Sequence, residues 1–225
     1  MKKRFLSMLL ALTMCVGVAI PVFAAEPEVP ETADKNCVTQ VFEDVYPTMW
    51  YVPFIQNVYN KGLMTGVSDT MFAPNRELNR AMVAQILYSA AGKPEVTTES
   101  AFTDMTNTES WYYDAVVWAT GAGVVCGYTN NTFRPYNNIT REEFVQMMYA
   151  MAGKPSIKCC EKSLSVFPDA RDVSEWATDA FTWAINNAIV TGMPKGNENW
   201  LAPQGLTTRA QAAAIISGYF AVPRG

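Results

Sequence analysis

Three arginines stand where a cation is unfavourable for a helix, one residue after a predicted N-cap. They are Arg80, Arg141 and Arg209. The predicted N-caps, of residue types common at that position, are Asn79, Thr140 and Thr208. The helix macrodipole favours an acid at the first helical position. However, a helix N-terminus attracts anions, and a guanidinium holds a carboxylate through two hydrogen bonds. The arginines therefore indicate contact with an anionic ligand; an exposed arginine paired with a neighbouring acid is the alternative.

The residues after these arginines support a helix start to different degrees. In ITREE, Thr140 and Glu143 have the spacing of a capping box. In TTRAQ, Gln211 can close the same box with Thr208. In LNRAM, Met82 stands at this place, and the bond back to the N-cap is lost. The second copy is therefore the best preserved, and the geometry of the first is the least certain.

Other recurring residues could bind a carbohydrate. An F-x-D motif opens each stretch and supplies Asp44, Asp104 and Asp169. A tryptophan follows in each, at Trp50, Trp111 and Trp176, and a glycine comes sixteen residues later, at Gly66, Gly127 and Gly192. A tryptophan ring offers a flat apolar face to a sugar, and a carboxylate accepts hydrogen bonds from hydroxyls. Alternatively, the aspartates cap the turn before the first helix and the tryptophans belong to the core. For the tryptophans we favour this core role.

The constant spacing of these residues shows three copies of one unit. We place the repeats at residues 41–96, 101–157 and 166–222. Each is predicted to be helix–turn–helix, with an F-x-P or L-x-P segment before the second helix. The third copy has three extra residues before Pro203, in PKGNENW. One helix pair is too small to bury its apolar face, so the three should share a core.

The N-terminus carries the pattern of a secretory signal peptide. Lys2, Lys3 and Arg4 precede an apolar run that ends in a small-residue cleavage site, which predicts a signal peptide over residues 1–25. Residues 26–40 are acidic and contain proline, and we expect a flexible leader there. Loss of the three basic residues leaves 14 basic and 21 acidic residues, a net charge of −7. This charge excludes an electrostatic footprint for nucleic acid, and no later apolar stretch is long enough to span a bilayer.

Four cysteines remain after the predicted cleavage. Cys126 aligns with Thr65 and Thr191 of the other copies, so a small buried side chain is expected. Cys37 could form a disulfide with Cys159 or Cys160, although reduced thiols are about equally plausible. The chain has no histidine and no paired C-x-x-C spacing, so we expect neither a metal nor a cofactor.

These residues together resemble S-layer homology (SLH) repeats. The resemblance rests on F-x-D, the tryptophan, the glycine, F-x-P and the ITREE/TTRAQ helix start, in three registered copies from Val41 to about Phe220. It implies an all-α fold, in which three helix–turn–helix repeats form a pseudo-threefold bundle with ligand grooves between the lobes. It also implies attachment to a secondary cell-wall polysaccharide, often pyruvylated, linked to the peptidoglycan of Gram-positive bacteria.

The sequence therefore predicts a secreted, non-catalytic module that anchors at the cell wall or surface layer. The alternative is an envelope structural or assembly protein whose repeats bind protein partners and whose cysteines link chains. An enzyme is disfavoured, because the acids recur once per repeat and the sequence offers no histidine base or credible Ser or Cys nucleophile.

Overall fold

Each repeat contributes two helices joined by an irregular segment. A computed structural model describes residues 37–157 and 164–222. The helices are α1 (Val38–Val41), α2 (Val52–Asn60), α3 (Arg80–Ala90), α4 (Tyr113–Gly121), α5 (Arg141–Met151), α6 (Thr178–Asn186) and α7 (Arg209–Ala221). Single turns of 3-10 helix cover Leu164–Val166, Ala170–Asp172 and Glu175–Ala177. The prediction of an all-α protein built from three repeats is confirmed.

The second helix of each repeat begins at a side-chain cap. Thr140 accepts a hydrogen bond from the backbone N–H of Glu143, whose carboxylate accepts the N–H of Thr140 in return. Thr208 and Gln211 form the same reciprocal pair at α7. At α3, Asn79 accepts the N–H of Met82, and Met82 has no group to return the bond.

Helices pack in pairs between repeats rather than within one. Helix α3 of the first repeat packs on α4 of the second, and α5 of the second packs on α6 of the third. Helix α7 of the third repeat returns to pack on α2 of the first. The repeats therefore form a closed ring, and each apolar helix face is covered by a neighbouring repeat, which explains why a single unit cannot bury its own core.

A ring of three backbone hydrogen bonds lies just before the second helices. The N–H of Leu78 donates to the carbonyl of Thr207, that of Thr207 to Ile139, and that of Ile139 to Leu78, over 2.9, 3.2 and 3.0 Å. All three side chains are fully buried. The hydroxyl of Thr207 has no hydrogen-bond partner in the part of the chain that the structure describes, and the other repeats carry leucine and isoleucine at this position.

The three extra residues of the third repeat build a small hairpin. Strand β1 (Met193–Lys195) pairs antiparallel with β2 (Glu198–Trp200), and Gly196 takes a positive φ at the turn. The ammonium of Lys195 lies 4.0 Å from the centre of the Trp200 ring. The sequence shows the insertion but gave no prediction of strands.

The predicted leader is too long at its C-terminal end. Val38 is fully buried, and its N–H donates to Gln56 of α2, so residues 38–40 belong to helix α1 and not to a flexible segment. The predicted signal peptide over residues 1–25, the rest of the leader up to residue 36, and the Cys159–Cys160 pair lie outside the described residues. Within the described residues, no helix is long and apolar enough to cross a membrane.

Candidate functional site

Three grooves lie where the repeats meet, and each takes residues from all three. We number a groove by the repeat that supplies its glycine loop and second helix. Groove 1 combines Gly66 and α3 with Arg209 and Trp111. Groove 2 combines Gly127 and α5 with Arg80 and Trp176. Groove 3 combines Gly192 and α7 with Arg141 and Trp50. Their volumes are about 490, 410 and 550 Å³.

Two of the three arginines hold the backbone of the next repeat. In groove 2, Nε of Arg80 donates to the carbonyl of Phe133 (2.9 Å) and Nη2 donates to that of Cys126 (2.8 Å). In groove 1, Nε of Arg209 donates to Phe72 (2.7 Å) and Nη2 to Thr65 (2.6 Å). These contacts join neighbouring repeats, so Arg80 and Arg209 have a structural role.

Aromatic rings complete the surroundings of these two arginines. The Arg80 guanidinium lies 4.8 Å from the centre of the Phe133 ring and 4.9 Å from that of Tyr128. The Arg209 guanidinium lies 4.5 Å from the Phe72 ring. Attraction between a buried cation and a ring adds about 1–2 kcal/mol to each contact.

Arg141 lacks these partners. Its side chain is 5% exposed, yet among the described residues it makes no hydrogen bond or close ion pair, and its Nε is buried without an acceptor. Burial lowers its pKa to about 10, while the more distant charge of Asp169 acts in the opposite direction. The side chain is therefore still a cation at neutral pH. A buried charge without a partner is costly, which sets Arg141 apart from Arg80 and Arg209.

The third repeat explains why Arg141 differs. The residue aligned with Phe72 and Phe133 is Leu201, which has no ring for the guanidinium. The hairpin also follows Gly192 directly, and Met193 and Pro194 form part of the groove wall. The three-residue insertion thus changes the loop that would otherwise hold Arg141.

The helix N-termini themselves are not free to bind an anion. The N–H groups of Arg141 and Glu142 donate to the carbonyls of Gly205 and Pro203 in the next repeat, at 2.8 and 3.0 Å. The third N–H of the helix, that of Glu143, is taken by the cap. The same pattern holds at α3 and α7. The expectation of anion binding by unpaired helix N–H groups is therefore wrong, and the side chains of the grooves must do any binding.

The tryptophan that recurs in each repeat lies at the opening of a groove. Trp50, Trp111 and Trp176 are 57, 55 and 52% exposed. Each reaches into the groove of a different repeat from its own. The core role that we favoured for them is wrong, because the buried aromatic positions next to them are taken by residues such as Tyr51 and Tyr112. Their exposed rings are available for stacking.

The aspartates lie outside the three grooves and hold the F-x-P and L-x-P segments. Both oxygens of Asp44 accept backbone N–H groups, from Phe72 (2.8 Å) and Ala73 (2.6 Å). Asp104 and Asp169 make the same pair of bonds in their own repeats. The middle residue of each segment has a positive φ: Ala73, Arg134 and Ala202. A left-handed backbone costs a non-glycine residue about 1–2 kcal/mol, which the two charge-assisted bonds offset.

The glycines allow the F-x-D phenylalanine to pack against the groove loop. A Cβ on Gly66 would lie 2.6 Å from Cε1 of Phe42, and one on Gly192 would lie 2.8 Å from Cε1 of Phe167. At Gly127 the added Cβ would overlap Cε1 of Phe102. The glycines therefore line the grooves through their backbone and are required by packing.

Sequence reasoning missed several groove residues. Arg76 lines groove 1 together with Arg209. The burial of Arg209 and, secondly, the nearby charge of Arg76 lower the pKa of Arg209 to about 10. Gln146 lines groove 2, and its Oε1 is buried without a hydrogen-bond partner. The aligned residues Gln85 and Ala214 line grooves 1 and 3, so comparing the copies five residues after the arginine would have found this position.

The expectation of a buried Cys126 is wrong. Cys126 is exposed in groove 2, and its backbone carbonyl accepts the hydrogen bond from Arg80. Within the described residues Cys37 is a free thiol, with its Sγ 3.1 Å from Oγ1 of Thr39. Its candidate partners Cys159 and Cys160 lie outside the described residues, so a disulfide to either of them stays a prediction.

The fold and the three grooves define a ring of three helical repeats with arginine- and tryptophan-lined clefts. The S-layer homology domain family matches residues 41–82, 101–145 and 166–213. The chain therefore belongs to this family, which makes it a cell-wall-anchoring module of the cell surface.

Relatives include both enzymes and surface-layer proteins. An endoglucanase of Bacillus sp. (strain KSM-635) is 31% identical over 96% of this chain and 22% of its own length. The S-layer protein sap of Bacillus anthracis is 25% identical over 96% of this chain and 24% of its own length. The surface-layer 125 kDa protein of Lysinibacillus sphaericus is 31% identical over 59% of this chain and 11% of its own length. The chain thus spans less than a quarter of each of these relatives.

Proposed function

We propose that this chain anchors to the cell wall by binding an anionic secondary polysaccharide through a carboxylate, such as that of a pyruvyl ketal on a sugar. The observation that carries the proposal is Arg141, whose guanidinium is buried in groove 3 without a hydrogen-bond partner among residues 37–157 and 164–222. A planar carboxylate can accept two hydrogen bonds from this fork. The ligand would take the place that loop carbonyls occupy around Arg80 and Arg209.

The rest of groove 3 suits a sugar ring. Trp50 offers an exposed aromatic face at the opening, and Phe54, Ile189 and Ile215 add apolar surface. No acid of the described residues lines this groove, so a carboxylate meets no like charge from them. Groove 1 is a second candidate, because it contains Arg76 and Arg209 and no acid.

The proposed role is non-catalytic. Glycoside hydrolysis requires a pair of carboxylates on either side of the bond that is cleaved. Glu143 of groove 2 is the single carboxylate residue among those that line the three grooves within the described part of the chain. The catalytic names of relatives such as the endoglucanase belong to those longer proteins.

Co-sedimentation with Gram-positive cell walls tests the proposal. The purified protein would be mixed with intact walls and with walls stripped of their anionic polymer, beside Arg141→Met and Arg171→Met variants. Arg171 is the matched control, because it is an exposed arginine outside the three grooves. We expect polymer-dependent pelleting that weakens about tenfold to a hundredfold in Arg141→Met, the loss expected for one or two charge-assisted hydrogen bonds. Arg171→Met should pellet like the unchanged protein.

Two results would contradict the proposal. Equal pelleting of the two variants would remove Arg141 from the binding site. Failure of the unchanged protein to pellet with intact walls would instead favour an assembly protein whose repeats bind protein partners.

A further inference from the structure

Groove 2 differs from the other grooves in the residue that faces the arginine. The third residue of the second helix lines each groove: it is Met82 in groove 1, Glu143 in groove 2 and Gln211 in groove 3. The incoming guanidinium therefore meets a thioether, a carboxylate or an amide. Only the carboxylate brings a negative charge.

The guanidinium of Arg80 is already held by two backbone carbonyls and by the charge of Glu143. Nε and Nη2 donate to the carbonyls of Phe133 and Cys126, and Nη1 lies 3.7 Å from Oε1 of Glu143. A ligand carboxylate at Nη1 would have to displace Glu143 or lie beside it. Either event opposes binding, since like charges at short range in a partly buried site repel each other.

Groove 2 instead presents hydrogen-bond acceptors. Glu143 supplies carboxylate oxygens, and Oε1 of Gln146, on the next turn of α5, is buried without a donor. Trp176 is half exposed at the opening and offers a ring face. Sugar hydroxyls and N-acetyl N–H groups are donors that match this arrangement.

We propose that groove 2 binds an uncharged sugar residue, with Glu143 and Gln146 as acceptors and Trp176 as the stacking face, while grooves 1 and 3 bind carboxylates. The inference rests on the proposed function, because it assigns different units of the same polymer to different grooves. Glu143 is then the residue that sets the charge preference of groove 2.

Two matched probes separate the grooves: methyl N-acetyl-β-glucosaminide, which is uncharged, and its 4,6-O-(1-carboxyethylidene) ketal, which adds one carboxylate. Indole N–H signals in NMR spectra report each groove through Trp111 (groove 1), Trp176 (groove 2) and Trp50 (groove 3), assigned by single Trp→Phe variants. We expect the uncharged probe to shift the Trp176 signal. The ketal should shift Trp50, Trp111 or both, and should bind at Trp176 at least about tenfold more weakly than the uncharged probe, the ratio for a difference of one charge interaction.

A Glu143→Gln variant tests the role of the charge with the helix cap preserved. Gln211 forms the same reciprocal cap at α7, so the substitution should keep the cap. Arg80 loses its ion pair with Glu143 but keeps its two bonds to carbonyls, so we expect a folded protein with a lower melting temperature. We expect the ketal to gain affinity at Trp176 by about tenfold and the uncharged probe to lose about fivefold, because a charged acceptor is replaced by a neutral one. Gln146→Ala should weaken the uncharged probe alone.

The outcomes distinguish this inference from the proposed function. If the ketal shifts Trp50 and shifts Trp176 with equal affinity in the unchanged protein, groove 2 is a third carboxylate site and the inference fails alone. An unshifted Trp176 with the uncharged probe also overturns it. If the ketal leaves Trp50 and Trp111 unshifted, carboxylate binding itself fails.

Discussion

Arg209 and Arg141 occupy equivalent positions, but their replacement by methionine should have opposite effects on stability. Arg209→Met removes two hydrogen bonds from a charged donor and leaves the carbonyls of Thr65 and Phe72 without it. Each such bond is worth about 1.5–3 kcal/mol, and the contact with the Phe72 ring adds about 1–2 kcal/mol. Removal of the buried charge also removes its desolvation penalty, which is several kcal/mol and offsets part of this loss. We expect a net loss of roughly 2–4 kcal/mol.

Arg141→Met removes a buried charge and no hydrogen bond to the described residues. The methionine keeps most of the apolar stem, so packing is largely retained. We therefore expect an unchanged stability, or a gain of up to about 2 kcal/mol from the relieved desolvation.

Thermal unfolding followed by circular dichroism measures both changes. For a domain of this size, 1 kcal/mol corresponds to about 2–4 °C, so Arg209→Met should melt roughly 5–15 °C lower and Arg141→Met at the same temperature or higher. Arg171→Met serves as the control for loss of an exposed charge. If Arg141→Met were as damaging as Arg209→Met, Arg141 would be a structural residue and the reasoning that assigns it to a ligand would be refuted.

Three further substitutions test the framework around the grooves. Thr207→Val should raise the free energy of unfolding by about 1 kcal/mol in urea titrations, because it removes a buried hydroxyl without a partner; a lower stability would show that the hydroxyl is satisfied. Gly127→Ala should destabilise the protein by about 1–3 kcal/mol, because the new methyl group overlaps Phe102. Gly121→Ala, at the end of α4, is the control and should be neutral or stabilising, because its methyl group meets no atom within 4 Å. Similar melting temperatures of the two variants would contradict this packing. Asp104→Asn should destabilise by about 1–3 kcal/mol, because an amide can accept with only one of its two groups at the N–H pair of Phe133 and Arg134; unchanged unfolding would show that these bonds contribute little.

The local features were predictable from the sequence, and the connections between repeats were not. Thr140 and Glu143 show the capping box in their spacing, since that bond closes within one helical turn. The partner of Arg80 lies in the next repeat, and helix periodicity carries no information on which copy a side chain reaches. The same limit explains why neither reading of the aspartates, ligand contact or a cap on the turn before the first helix, named their partners: Asp44 binds residues 28 and 29 positions later.

The residue types of the candidate site were predicted, but the main difference between its copies was not. The capping residues indicated that the first copy is the least certain, whereas the groove surroundings of Arg141 depend on Leu201 and the inserted hairpin. The roles of Met82, Glu143 and Gln211 in the grooves follow from a position that sequence reasoning had used only for helix capping.

Closure of the ring constrains how the protein folds during secretion. Arg209 reaches back 144 residues to Thr65, and α7 covers α2, so the first repeat lacks part of its core until the last helix is available. In an open repeat array, by contrast, each unit is completed by its immediate neighbour and folding can spread from one end. Here the ring closes only when the third repeat is present, and a break within any repeat should abolish the structure of all three. The three grooves therefore form together and only from an intact chain.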